Sequence, residues 1–169
     1  KHPKRLYLFA EKYEPMTSDF KTSVELITYI RERTGNFFCI GVPGYPDQTS
    51  TLAMSRLKEK IESGVDFIIT QAFFEASVYK LYARKCKETG ISVPVIPGVF
   101  PFDTYDQLVG FVNLCKVKVS NDILEYVEKE GVQAKNITKK LINDMRSETK
   151  HIHLFTLNKL KLLSDLIHF

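Results

Sequence analysis

At 169 residues, 44% hydrophobic and 26% charged, the chain has room for one soluble globular domain, residues 1–169, with a real core. Its net charge of +4 is spread along the chain apart from modest lysine clusters at Lys139–Lys140 and Lys159–Lys161, and no aromatic-interleaved basic patch points to nucleic acid. No apolar run approaches the roughly 20 residues that span a bilayer, and Lys1-His2-Pro3-Lys4-Arg5 does not open a signal peptide, so the expectation is an intracellular protein, cytoplasmic or organellar, neither secreted nor membrane-spanning.

Cys39, Cys86 and Cys115 are odd in number, far apart and set among apolar residues. They read as reduced thiols, and no pair has the spacing of a zinc site. The chain lacks an initiating Met, which suggests a piece of something longer.

Leu6–Ala10 is the first expected strand, ending at Glu11. Ser18 is placed to cap a helix whose apolar residues Phe20, Val24, Ile27 and Ile30 fall at helical spacing, with Gly35 as its stop. Phe38–Val42 is the second strand, running into Pro43-Gly44-Tyr45-Pro46, a segment expected to leave the ladder. The helix after it, about Leu52–Ser63, carries Met54, Leu57 and Ile61 on one face. Asp66–Phe73 gives the third strand, with Phe67–Gln71 as its sheet segment. A long amide at its carboxyl end, Gln71, calls for a reason, because a buried amide without partners costs roughly 1–3 kcal/mol.

Tyr79, Tyr82, Ala83 and Cys86 then mark a helix that Gly90 closes. The fourth strand is expected over Val93–Ile96 with its apolar run reaching Phe100. Asp103 or Thr104 caps a helix with Leu108, Phe111, Val112 and Cys115 inward. Further helices are expected over Asn121–Glu130 and Lys135–Arg146, then a strand over His151–Leu157, with His153–Leu157 as its sheet part, and a short helix capped by Asn158 with Leu160, Leu163 and Ile167 inward. Apolar strands alternating with amphipathic helices predict a parallel α/β sheet covered by helices, its strands adjacent in sequence order. Strand starts near residues 6, 38, 66 and 93 set a repeat of about 30 residues, one βα unit each. Five such units suit a doubly wound sheet or part of a barrel. The first strand is not followed by a Gly-x-Gly-x-x-Gly fingerprint, and neither a Walker motif nor a nucleophile elbow is present.

Four strand-end segments, Gly41-Val42-Pro43-Gly44-Tyr45-Pro46, Asp66–Phe74, Val95-Ile96-Pro97-Gly98-Val99-Phe100-Pro101 and His153–Asn158, carry a specific resemblance. In that order and spacing the chain, from about Leu6 to Asn158, resembles the later half of methylenetetrahydrofolate reductase. The resemblance implies strands 4–8 of a TIM-type (βα)8 barrel, a partial barrel completed by a missing amino-terminal half or by protein partners. It also implies FAD at the carboxyl ends of the strands, an oxidoreductase passing a hydride from NADH or NADPH to methylenetetrahydrofolate, and folate as ligand.

By the same resemblance Gln71 matches the glutamine on the pterin, and Tyr45 matches a tyrosine of the flavin site. Lys60 falls at the lysine near the FAD phosphates. Phe111 matches an aromatic of the folate and nicotinamide site, with a core role as the alternative. Lys159 stands where the family usually has arginine, keeping charge but losing the planar fork.

The departures weigh against chemistry. Where the family shows Arg-Gly-Asp, this chain has Phe9-Ala10-Glu11. Where it shows His-Pro-Glu, this chain has Thr49-Ser50-Thr51, and the expected aspartate is Ala53. Glu11 and Gln71 are the catalytic candidates if the module is active. The preferred expectation is instead a degenerate reductase, a pseudoenzyme without bound FAD that acts as a structural or interaction subunit. The alternatives are an active FAD-dependent reductase and a folate-binding module without hydride transfer.

Overall fold

A computed structural model describes residues 4–7 by their backbone and residues 19–131 and 135–158 in full. The strands are β1 (Lys4–Tyr7), β2 (Phe38–Gly44), β3 (Phe67–Ala72), β4 (Val95–Val99) and β5 (His153–Leu154). The helices are α1 (Ser23–Thr34), α2 (Thr51–Glu62), α3 (Ala76–Glu88), α4 (Tyr105–Cys115), α5 (Asn121–Glu130) and α6 (Lys135–Arg146). The sheet order is β1-β2-β3-β4-β5, sequence order throughout, and β1–β2, β2–β3 and β4–β5 pair parallel. This is the expected succession of βα units, of the class found in (βα)8 barrels.

The chain divides into two compact units, one of Lys1–Thr70 with Ala83–Val95 and one of Gln71–Tyr82 with Ile96–Phe169. In the first, β2 and β3 supply the buried residues Ile40, Val42, Phe67, Ile68 and Ile69, while α1 and α2 bury Ile27, Met54 and Leu57. At the amino ends of these strands lies a charged clamp. Arg31 of α1 donates through Nε to Gly64 O at 2.7 Å, through Nη1 to Phe38 O at 2.8 Å, and through Nη2 to Asp66 Oδ2 at 2.6 Å. The same carboxylate oxygen accepts from Ile40 N at 2.6 Å. One guanidinium therefore fixes the end of α1 against the starts of β2 and β3, using the planar fork that lysine lacks. Gly64 has φ +116, and a Cβ there would come within 2.7 Å of Arg31 Cγ, so the clamp also needs glycine.

The second unit is organised on a cluster of Ala72, Phe74, Phe100, Phe102, Leu108, Phe111, Val117 and Val127. Aromatic pairs run through it: Phe74 meets Phe102 edge-on at 5.9 Å, and Phe100 stacks on Phe111 at 3.8 Å. On α6, Thr138, Leu141, Ile142 and Met145 are buried, one apolar stripe at helical spacing.

Several expected boundaries move. β1 is Lys4–Tyr7 rather than Leu6–Ala10, and residues 8–10 lie outside the described ones. β2 continues through Pro43 and Gly44, which pair with Ile69 and Thr70, against the expectation that this segment leaves the ladder. Asp66 N donates to Ile40 O at 2.8 Å, so Ile40 turns its polar groups to β3 and, by alternation, Pro43 turns its nitrogen to the β1 side. β1 pairs only as far as Gly41, so the missing N–H of Pro43 leaves no described ladder bond unmade.

α1 begins after Thr22, whose hydroxyl accepts from Glu25 N at 3.2 Å, while Glu25 Oε2 accepts from Lys21 N at 2.7 Å. Phe20 therefore precedes the helix instead of lying on its inward face, and Ser18 is outside the described residues. β4 is Val95–Val99, inside the expected run from Val93 to Phe100 but later at both ends than the sheet segment Val93–Ile96. β5 is His153–Leu154, with Phe155 N still donating to Val99 O at 2.9 Å, and the expected run to Leu157 is closed off by Leu157 and Asn158, whose φ of +47 and +62 no strand accommodates. The helix expected after Asn158 lies outside the described residues.

Candidate functional site

In the first unit the carboxyl end of β2 delivers Tyr45 half-buried, and Gln48 N donates to Tyr45 O at 2.9 Å, turning the chain back towards α2. Thr49 follows, half-buried, and Ser50 caps α2, its Oγ accepting from Ala53 N at 3.3 Å. Ser50 thus accepts in closing its own helix and keeps its O–H as a donor. Ala53 occupies the first turn, where an acidic side chain would point off the helix start. Lys60 is in the last turn of α2, about 14 Å along the helix axis from Thr51. It is half-buried, and loss of water around the ammonium lowers its pKa below the ordinary lysine value.

In the second unit Gln71 is the penultimate residue of β3 and the half-buried position in an otherwise buried strand. Its Oε1 accepts from Ala72 N at 2.9 Å, which orients the carboxamide locally. Phe73 and Phe74 follow, both buried, and Phe73 stacks on Tyr79 at 5.7 Å.

Past the carboxyl ends of β4 and β5 the same unit holds a cavity of about 320 Å³ lined by Phe100, Pro101, Asp106, Gln107, Gly110, Phe111, Leu114, Thr156 and Leu157. That size is at the small end of ligand pockets. Thr104 caps α4 by accepting from Gln107 N at 3.3 Å, and Gln107 Oε1 accepts from Asp103 N at 3.2 Å, so the β4–α4 connection is fixed by reciprocal bonds. Phe111 is 4% exposed, and it serves both as a core residue and as a wall of this cavity. His153 of β5 meets Phe155 edge-on at 4.6 Å, and burial lowers its pKa below the usual histidine value.

Of the residues singled out from sequence, Tyr45, Thr49 and Lys60 belong to the first unit and Gln71 and Phe111 to the second. Glu11 and Lys159 lie outside the described residues. Sequence reading missed Asp106, Gln107 and Gly110, which share one face of α4 with Phe111. Their i, i+1, i+4, i+5 spacing was the available signal, hidden because only the apolar stripe was read. Among the described residues no group of three or more His, Cys, Asp or Glu could hold a metal ion, and no helix is long and apolar enough to cross a membrane.

Comparison with known proteins converges on one family. The family model described as methylenetetrahydrofolate reductase matches residues 8–168. A probable NADPH-type methylenetetrahydrofolate reductase of Caenorhabditis elegans is 33% identical over 152 residues, covering 81% of this chain and 23% of that protein. A probable NADH-type enzyme of Oryza sativa is 27% identical, covering 88% and 29%. The 5,10-methylenetetrahydrofolate reductase of Pectobacterium carotovorum is 28% identical, covering 86% and 53%. The chain therefore spans about a quarter of the length of its eukaryotic relatives and about half of the bacterial one. Among solved structures, an uncharacterised Clostridium thermocellum protein described as binding two copies of 5-methyl-5,6,7,8-tetrahydrofolic acid superposes with a TM-score of 0.54 at 18% identity, covering 75% of this chain and 49% of that one, a likeness of fold alone.

Proposed function

The chain belongs to the methylenetetrahydrofolate reductase family, and from that membership we propose that it is a degenerate reductase module, a barrel segment that serves as a non-catalytic subunit of a larger assembly. The observation that supports this reading is the β2–α2 connection. An anionic dinucleotide needs cations and free donors near its diphosphate and ribose. This connection offers the hydroxyls of Thr49 and Ser50 as neutral donors, Ser50 also accepting from Ala53 N, but it carries no cation, with Asp47 exposed beside them and Ala53 uncharged. Lys60, the cation inherited by resemblance, sits half-buried in the last turn of α2, about 14 Å along the helix axis from Thr51. That donor set does not suit FAD.

Gln71, half-buried at the carboxyl end of β3, favours a second reading, an active FAD-dependent reductase of methylenetetrahydrofolate that uses NADH or NADPH. Folate-dependent oxidation of NADH and of NADPH, with FAD supplied in excess, separates the two. The module reading predicts no oxidation above the protein-free rate; sustained folate-dependent turnover would transfer the assignment to the reductase.

A further inference from the structure

The outer faces of α5 and α6, both in the second unit, carry opposite charge. α5 bears Asp122, Glu125, Glu128 and Glu130 against one lysine, Lys129, and all five are exposed. α6 bears Lys135, Lys139, Lys140 and Arg146 against one carboxylate, Asp144. Each helix buries its other side, Val127 on α5 and Leu141, Ile142 and Met145 on α6, so the charges are turned outward. Lys129 is held within its own helix by Glu125 at 3.8 Å. Glu128, Glu130, Lys139, Lys140 and Arg146 enter no ion pair among the described residues. Glu128 and Glu130 also lie in the last turn of α5, where the helix dipole disfavours carboxylates. Their placement therefore costs the isolated chain something and returns no contact within it. Tyr126 stands among them, 41% exposed, an aromatic of the kind that anchors interfaces.

We infer that this surface docks a second copy of the chain, with α5 of each protomer laid on α6 of the other. The chain itself carries both complements, and a two-fold axis makes the α5–α6 contact twice. The charged rows match in length, about 12 Å from Asp122 to Glu130 and about 10 Å from Lys139 to Arg146. In the contact Glu128 and Glu130 meet Lys140 and Arg146, and the Tyr126 ring offers its face to the same cations. Exposed ion pairs are individually weak, so the dimer is weak and salt-dependent, with a Kd on the order of 0.1 mM. The pairing rests on helix faces and not on strand ends, so it holds for an active or a degenerate module alike.

Sedimentation velocity of the chain from micromolar to millimolar concentration, in about 50 and about 500 mM NaCl, tests this. Two double variants run alongside, one with Glu128→Lys and Glu130→Lys, the other with Lys140→Glu and Arg146→Glu. All four positions are exposed, and folding of each variant is checked by Tm. The expected result is a native dimer that the added salt weakens at least about fivefold. Each variant alone is monomeric, because its two faces then carry the same sign. Mixing the two restores a dimer, since reversal of α5 in one copy complements reversal of α6 in the other. A native chain that stays monomeric at millimolar concentration, a dimer indifferent to salt, or folded variants that stay monomeric when mixed would overturn the inference. Should a variant not fold, the salt dependence of the native chain decides alone.

Discussion

Arg31 reaches three backbone and side-chain acceptors at the start of β2 and β3 with its side chain 15% exposed, so its removal takes this donor from the carbonyls of Phe38 and Gly64 and leaves the Asp66 carboxylate with the Ile40 amide but no cation. Arg31→Ala is expected to cost about 2–4 kcal/mol in urea unfolding, and Arg31→Lys to recover only part of it, because an ammonium cannot span that fork. A loss below about 0.5 kcal/mol in the alanine variant would reduce the clamp to an ordinary surface pair. His153 supplies a pH-dependent counterpart. Its folded pKa is lowered by burial below the usual 6.5, so the unfolded chain binds the proton more readily. Its contribution is therefore present above the unfolded pKa and lost as pH falls through it towards the folded value. Between about pH 7.5 and pH 5.5 the Tm of the native chain should fall further than that of His153→Leu. Parallel curves would contradict this role.

At the scale of elements, the sequence was legible wherever one period dominated. α5 and α6 have the expected bounds, and α2 and the interior of β3 agree within a residue, because apolar spacing and Ser or Gly boundaries coincide there. The misses share a cause: a local signal was read without its tertiary setting. Pro43 reads as a breaker, yet its nitrogen faces away from β3, on the side where the described residues of β1 pair no further than Gly41. Thr22-x-x-Glu25 is a capping box in plain sight that the apolar Phe20 obscured. The expected end of the last strand at Leu157 falls on the first of two left-handed residues, Leu157 and Asn158, a conformation that a leucine does not advertise. Of the candidate site, strand ends and Gln71 were legible, while the polar face of α4 was not, since it interrupts no apolar repeat. Two glycines give opposite expectations. A Cβ on Gly41 would lie 2.4 Å from the Phe67 ring, so Gly41→Ala should destabilise the β2–β3 pair by about 1–3 kcal/mol. Gly110→Ala, in open space within α4, should stabilise by about 0.5–1 kcal/mol. Chemical unfolding of the two variants side by side checks both signs.

At the scale of the molecule, the protein has the parallel βα succession of its family's class of fold, and the function proposed above rests on altered polar groups where the resemblance puts the flavin. Strand cores, helix faces and the Arg31–Asp66 clamp hold the sheet together. Stability of the fold and retention of a cofactor are separable, because the first rests on buried apolar surface and the second on a few charged contacts at strand ends. Each lost charged partner typically removes about 1.5–3 kcal/mol, so three losses together weaken FAD on the order of a thousandfold or more if they act independently. The most direct measurement is an equilibrium titration of the purified chain with FAD, followed by flavin absorbance and by calorimetry, beside the variant carrying Thr49→His and Ala53→Asp. The account predicts no flavin carried through purification, weak or unmeasurable binding to the native chain, and tighter binding in the variant. A native chain that purifies yellow, or that binds FAD at micromolar affinity or better, would contradict it.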